Sequence, residues 1–183
     1  MYALIGLVFS IAFVGIAIFA KLPGYRFAPV FLILILWTPF FLRRWLRLNP
    51  VHYLLFAIAL TLHDMGAFGL YQKEVWGKSW DIYVHFFFAF AATFMFYRAL
   101  EYHLELRPWQ TAFFTLMFIM GAGGLHEVME YTSYLLLGEE RGMLKPHTAY
   151  FLDTSRDLMN NFLGCLTALV IYRLLRALRR PLR

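Results

Sequence analysis

Long apolar runs recur along this chain, several of them sufficient to cross the roughly 30 Å hydrocarbon core of a bilayer as a helix. This restricts the fold more than any other feature, because a backbone in lipid must satisfy its own polar groups as a helix or in a closed barrel. The chain is 61% hydrophobic and 15% charged over 183 residues, whereas an ordinary soluble domain carries about a quarter charged residues. The expectation is an all-α polytopic membrane protein, a six-transmembrane-helix bundle forming a single transmembrane domain over 1–183. Reading apolar runs against Pro, Gly and charge breakers predicts helices at about 2–20, 27–43, 51–71, 80–100, 109–137 and 153–177. Met1 to Ala20 lacks the basic stretch of a signal peptide, so it reads as the first span.

The net charge of +6 does not form a patch on a polar domain, so no nucleic-acid partner is expected. Basic residues fall at helix ends instead, where they contact lipid headgroups and set orientation. Ten Lys/Arg lie on the side of the termini (Arg43, Arg44, Arg47, Arg98, Arg107 and five C-terminal arginines), and seven lie opposite. The positive-inside rule then gives a multi-pass protein of the plasma (inner) membrane with both termini cytoplasmic. Cys165 is the single cysteine, so no intrachain disulfide forms and the redox compartment stays open. The sequence does not fix the oligomeric state.

Six of the eleven carboxylates and three of the six histidines lie inside or at the ends of these spans: Asp64, Asp81, Glu127, Glu130, Asp153 and Asp157, with His63, His85 and His126. Ionisable groups in hydrocarbon are expensive and mark function by default. The topology places most of them within roughly 15 Å of the outer end of their helix, at 1.5 Å rise per residue, which predicts an intramembrane polar site near the outer face. Asp81 with His85, His126 with Glu130, and Asp153, Asp157 and Asn161 follow i,i+4 steps, so each set shares one helix face. Gly66, Gly69, Gly121, Gly123, Gly124 and Gly164 surround these faces and are expected to let the helices approach closely.

So many acids in a small volume must protonate, pair with cations or bind a metal. Arg156 is the one basic residue near the group within the helices. His and Asp/Glu together form a ligand set for a divalent ion (Zn, Mn or Fe), and helices supplying inward Glu and His build di-metal sites in bundle cores. The expected ligands are His85, His126, Glu130, Asp157 and Asp153. Glu127 and Asp81 are expected as acid/base groups, with His63 and Asp64 behind them. Arg141, Lys145, Arg156 and Asn161 would form a rim for a phosphate-bearing substrate. Plainer readings stand beside this one: Asp81, Asp153 and Asp157 suit a helix N-terminus, His85 suits a hydrogen-bonded core position, and the helix 5 residues suit a structural polar network. His52, His103 and His147 fall outside the cluster.

Three motifs add a resemblance. W-D-x-x-x-H from Trp80 to His85, G-G-x-x-E-x-x-E from Gly123 to Glu130, and D-x-x-x-D-x-x-x-N-x-x-G from Asp153 to Gly164 resemble uncharacterised bacterial and archaeal membrane proteins of the YjdF type. More distantly, the order of an Asp-His helix, a Glu helix and a D-x-x-x-N-x-x-G helix is similar to the VanZ-like family, associated with glycopeptide-antibiotic resistance. The resemblance covers helices 3 to 6 and implies a shared intramembrane polar site without naming a reaction.

Three functions compete. The first is a metal-dependent hydrolase or transferase acting on a lipid or lipid-linked phosphate at the outer leaflet. The second is a proton- or cation-coupled transporter, which needs polar groups continuing inward where only Thr93, Thr115 and Thr167 lie. The third is an accessory subunit that docks its Phe-rich helix 4 on a larger membrane complex.

Overall fold

A computed structural model describes residues 1–19, 28–138 and 150–178. Its elements are α1 (Tyr2–Phe19), α2 (Ala28–Phe41), α3 (Pro50–Asp64), the short strands β1 (Glu74–Val75) and β2 (Lys78–Ser79), α4 (Trp80–His103), α5 (Pro108–Leu137) and α6 (Tyr150–Leu178). α1, α4, α5 and α6 are long and apolar enough to cross a membrane, and α2 and α3 are shorter. The large apolar side chains exposed along these helices, such as Leu4, Ile11, Phe113, Leu125, Val128 and Val170, are the lipid-facing surface of such a bundle. The protein is an all-α membrane bundle.

Local chemistry sets the helix starts. Asn49 caps α3 by accepting a hydrogen bond from the Val51 amide at 2.8 Å, and Pro50 occupies its first turn, where no amide hydrogen is needed. Pro108 opens α5 in the same way, and the Gln110 side chain accepts from the Arg107 amide at 2.9 Å. The apolar run expected to carry helix 3 to Tyr71 leaves the α conformation at Asp64. It continues as two 3₁₀ turns, Met65–Phe68 and Leu70–Gln72, hinged at Gly69 with φ +85°. The segment expected as a plain loop is a two-stranded hairpin pairing Glu74 with Ser79 and Val75 with Lys78. Its turn residues Trp76 and Gly77 both have positive φ (+52° and +71°), the pattern that matches the twist of a two-residue hairpin. Helix 4 runs three residues past its expected end, to His103. Helix 6 starts at Tyr150, three residues before its expected start.

α4 is the central helix, more than half buried, whereas α1 is mostly exposed. One of its faces completes a core of Phe13, Leu36, Tyr53, Phe56 and Leu60 with Ala91 and Met95. Its other face packs Ala89, Ala92 and Tyr97 against Ile119, Cys165 and Leu169 of α5 and α6. The tightest meeting of two helix backbones is at Gly164 of α6, where an added Cβ would run into the Phe86 carbonyl oxygen. Gly123 approaches Asn161 closely in the same sense, at 2.5 Å, whereas Gly121 and Gly124 have nothing within 4 Å. Close approach between these helices therefore rests on Gly164 and Gly123, and Gly66 makes room for the Tyr71 ring instead.

Gly164→Leu is expected to lower the unfolding temperature in detergent, with the cost of about 1–3 kcal/mol that overpacking brings. Gly121→Ala should leave that temperature unchanged or slightly raised, through helix propensity alone. Thermal scans of intrinsic tryptophan fluorescence on both variants check this.

Candidate metal centre

The polar residues enter from α3, α4, α5 and α6 at one end of the bundle. α4 is fixed there by Trp80, whose indole N–H donates to the Leu62 carbonyl at 2.9 Å, tying the start of α4 to the end of α3. Tyr83 donates to the Val75 carbonyl at 2.9 Å and holds the hairpin beside the same end. These bonds set the rotation of the first turns of α4, and so the direction in which Asp81 and His85 point.

His85 is the centre of the cluster. Its Nε2 lies 3.6 Å from Asp81 Oδ1, 3.9 Å from Glu127 Oε1 and 3.9 Å from Asp157 Oδ2. Asp81, His85 and Asp157 each offer one ligand atom to a group in which all three atoms lie within 4.8 Å of one another. Two ligands about 2.1 Å from a tetrahedral ion stand about 3.4 Å apart, so this spacing suits a shared divalent cation. The site is largely buried: His85 is 6% exposed, Glu127 5% and Asp157 1%, while the Asp81 side chain is 23% exposed. Asp157 Oδ1 and Glu127 Oε1 have no hydrogen-bond partner among the described residues. Asn161 lies within hydrogen-bonding reach of His85 and Thr154 within reach of Glu127, so neighbours from α6 steady both groups.

The other expected site residues are sorted differently. His126 Nε2 pairs with Glu130 Oε1 at 3.3 Å on the same helix, outside the three-residue group. Asp153 is engaged by the Arg156 guanidinium, which also stands 3.9 Å from Asp157 Oδ1. His63 Nδ1 and the Tyr71 hydroxyl are hydrogen-bonded at 2.8 Å. The His63 and His126 rings are 6.5 Å apart and those of His126 and His85 5.7 Å, a stepwise series of imidazoles ending at the carboxylates. Asp64 is 1% exposed, and neither of its oxygens has a hydrogen-bond partner among the described residues. Arg141 and Lys145 lie outside the described residues. Among the expected metal ligands, then, His85 and Asp157 come together, joined by Asp81 and Glu127, which the sequence pointed to as acid/base groups. The Trp80 and Tyr71 contacts had no counterpart in the sequence reading, since nothing in residue spacing announces a side chain that bonds a neighbouring element.

The fold and the buried cluster define a membrane-spanning helical bundle with a His/carboxylate site at one end. The chain matches the family of predicted membrane proteins DUF2238 over residues 1–177 and belongs to that family. No curated protein and no solved structure matches it.

A buried carboxylate without a partner costs the fold several kcal/mol if it is charged. Asp64→Asn removes the charge at nearly constant shape, so its unfolding temperature should equal or exceed that of the wild type. A fall of several degrees would show that the Asp64 carboxylate is itself a stabilising group.

Proposed function

We propose that this protein binds a divalent metal ion at Asp81, His85 and Asp157 and uses it on a lipid or lipid-linked phosphate at the outer leaflet. One observation carries the reading: three carboxylates converge on a single imidazole in a largely buried site whose nearby fixed cation, Arg156, binds Asp153 and stands 3.9 Å from just one of the three, Asp157. Carboxylates brought together in this way need a positive counter-charge, and an imidazole among them supplies a neutral nitrogen ligand. The donor set suits Zn, Mn or Fe. A bound ion would lower the pKa of a coordinated water and polarise a phosphoryl oxygen.

In this reading Glu127, whose Oε1 has no hydrogen-bond partner among the described residues, takes or gives the proton at the reacting centre. The His126–Glu130 pair and His63 stand behind it as a route for that proton toward Tyr71. Asn161 steadies the His85 ring. Arg156, with Arg141 and Lys145 from the neighbouring segment, would face the phosphate. The excess of Lys/Arg at the opposite end supports a plasma (inner) membrane orientation with both termini cytoplasmic and the site toward the outer face. The motif resemblance to YjdF-type and VanZ-like proteins supports an intramembrane polar site as a shared feature.

The row of imidazoles is what favours a second reading, proton-coupled transport. A path to the other face would have to pass Thr93 and Thr115. Their hydroxyls are buried and donate to carbonyls of their own helices at 2.7 Å each, which weighs against a continuous route.

Elemental analysis of protein purified without a histidine tag tests the first reading. The wild type should hold close to one divalent ion per chain, and His85→Ala with Asp157→Ala should hold none. Asp153→Asn should keep its metal, because Asp153 is engaged by Arg156. An absence of metal in the wild type after incubation with Zn, Mn and Fe overturns the assignment. If the metal is present, Glu127→Gln should keep it and lose at least about a hundredfold in the rate of phosphate release from a lipid-phosphate substrate, the scale of general acid–base catalysis.

A further inference from the structure

The opposite end of the bundle carries a second site of inverse charge. The turn after α2 and the end of α4 flank an open cavity of about 630 Å³ lined by Arg43, Arg44, Arg47, Arg98, Tyr102 and His103 over the Leu48 side chain. None of the four arginines forms an ion pair with a carboxylate among the described residues. Four guanidinium groups held near one another repel unless an anion joins them.

The arginines are held in place rather than free to spread. Arg98 donates from Nε to the Arg47 carbonyl at 2.7 Å, across 51 residues of sequence. The Arg47 guanidinium lies over the Tyr102 ring at 3.7 Å. Arg43 donates to the Phe40 carbonyl at 2.9 Å and lies over the Phe40 ring at 4.4 Å. Trp45 stacks on His103, with ring centroids 5.4 Å apart. Arg47 has φ +47°, a left-handed conformation uncommon for residues other than Gly, Asn and Asp. This backbone turn directs the Arg47 side chain back over Tyr102 at the edge of the cavity.

We propose that this cavity is a binding site for a phosphate group, carried either by the headgroup of an anionic membrane lipid or by a soluble phosphate. Phosphate suits it because guanidinium groups bind tetrahedral oxyanions through paired N–H donors. A lipid source suits its surroundings: it sits where helix ends meet the interface, and the exposed Trp45, Tyr102 and Leu104 beside it are interfacial in character.

Native mass spectrometry of the full chain in a neutral detergent tests this with phosphatidylglycerol, phosphatidylcholine and inorganic phosphate as separate probes. Comparison of the wild type with Arg44→Gln plus Arg47→Gly is decisive. The Arg44 side chain makes no hydrogen bond or ion pair among the described residues, and glycine at position 47 relieves the backbone, so this variant should stay folded. Arg173→Gln, on the exposed end of α6, controls for general positive charge. The expected result is saturable phosphatidylglycerol binding in preference to phosphatidylcholine, weakened about fivefold for each charge removed and unchanged in Arg173→Gln. Saturable binding of inorganic phosphate alone, lost in the same variant, also upholds the site and assigns it to a soluble ligand. Equal affinity for both lipids without phosphate binding, or an equal loss in Arg173→Gln, overturns it.

Discussion

The close approach of α4 and α6 sets the rest of the molecule. Gly164 meets the backbone of Phe86 with no room for a side chain between them, and both helices run in the same direction from this contact. His85 lies just above it on α4, with Asp81 one turn higher; Asn161 lies about one turn above it on α6, with Asp157 a further turn up. A larger residue at position 164 would push the helices apart, and the carboxylates would separate along with the backbones. The polar cluster is thus a consequence of apolar packing: small residues at the contact convert four residues spread over two helices into one site.

Where this chain places its polar residues was legible before its structure, because position along a span needs only helix rise and topology. The i,i+4 steps placed Asp81 beside His85 and His126 beside Glu130, and the structure has both pairs. Which residues meet across helices was not legible, since that depends on the rotation of each helix about its axis. Rotation is set by contacts such as Trp80 to the Leu62 carbonyl and Gly123 to Asn161, which leave no periodic trace in the sequence. Asp153 illustrates the limit: by spacing it shares a face with Asp157, yet Arg156 engages it and it stays outside the group around His85. The hairpin at Trp76–Gly77 was hidden for a different reason. Its left-handed Trp76 is a choice that turn propensities disfavour.

The bundle is electrically divided, with carboxylates crowded at one end and arginines at the other. These groups cannot neutralise each other. Asp81 and Arg98 lie on the same helix but about 25 Å apart by its rise, and the interaction of two unit charges at that distance is small beside the cost of leaving either one uncompensated in a low-dielectric setting. Each end must find its counter-charge locally. The two proposals, a cation at one end and an anion at the other, therefore rest on the same physics and on independent sets of residues.

Some ionisable groups here serve as structural ties, and they show what such a tie looks like. Glu101 accepts from the Tyr172 hydroxyl at 2.9 Å and pairs with Arg176, joining the C-terminal ends of α4 and α6. Asp153 with Arg156 and His126 with Glu130 are paired within single helices. In each case the acid has a defined partner of opposite charge or a donor. The group around His85 breaks this pattern, because three carboxylates face one imidazole and, at 3.9 Å from Asp157, one guanidinium, and oxygens of Glu127 and Asp157 remain without hydrogen bonds among the described residues. A cluster kept only for helix association gains nothing from the second and third acid, each of which adds repulsion and desolvation. Retaining them is understandable if the acids act together on something positively charged, and ligand atoms of Asp81, His85 and Asp157 lie within 4.8 Å of one another.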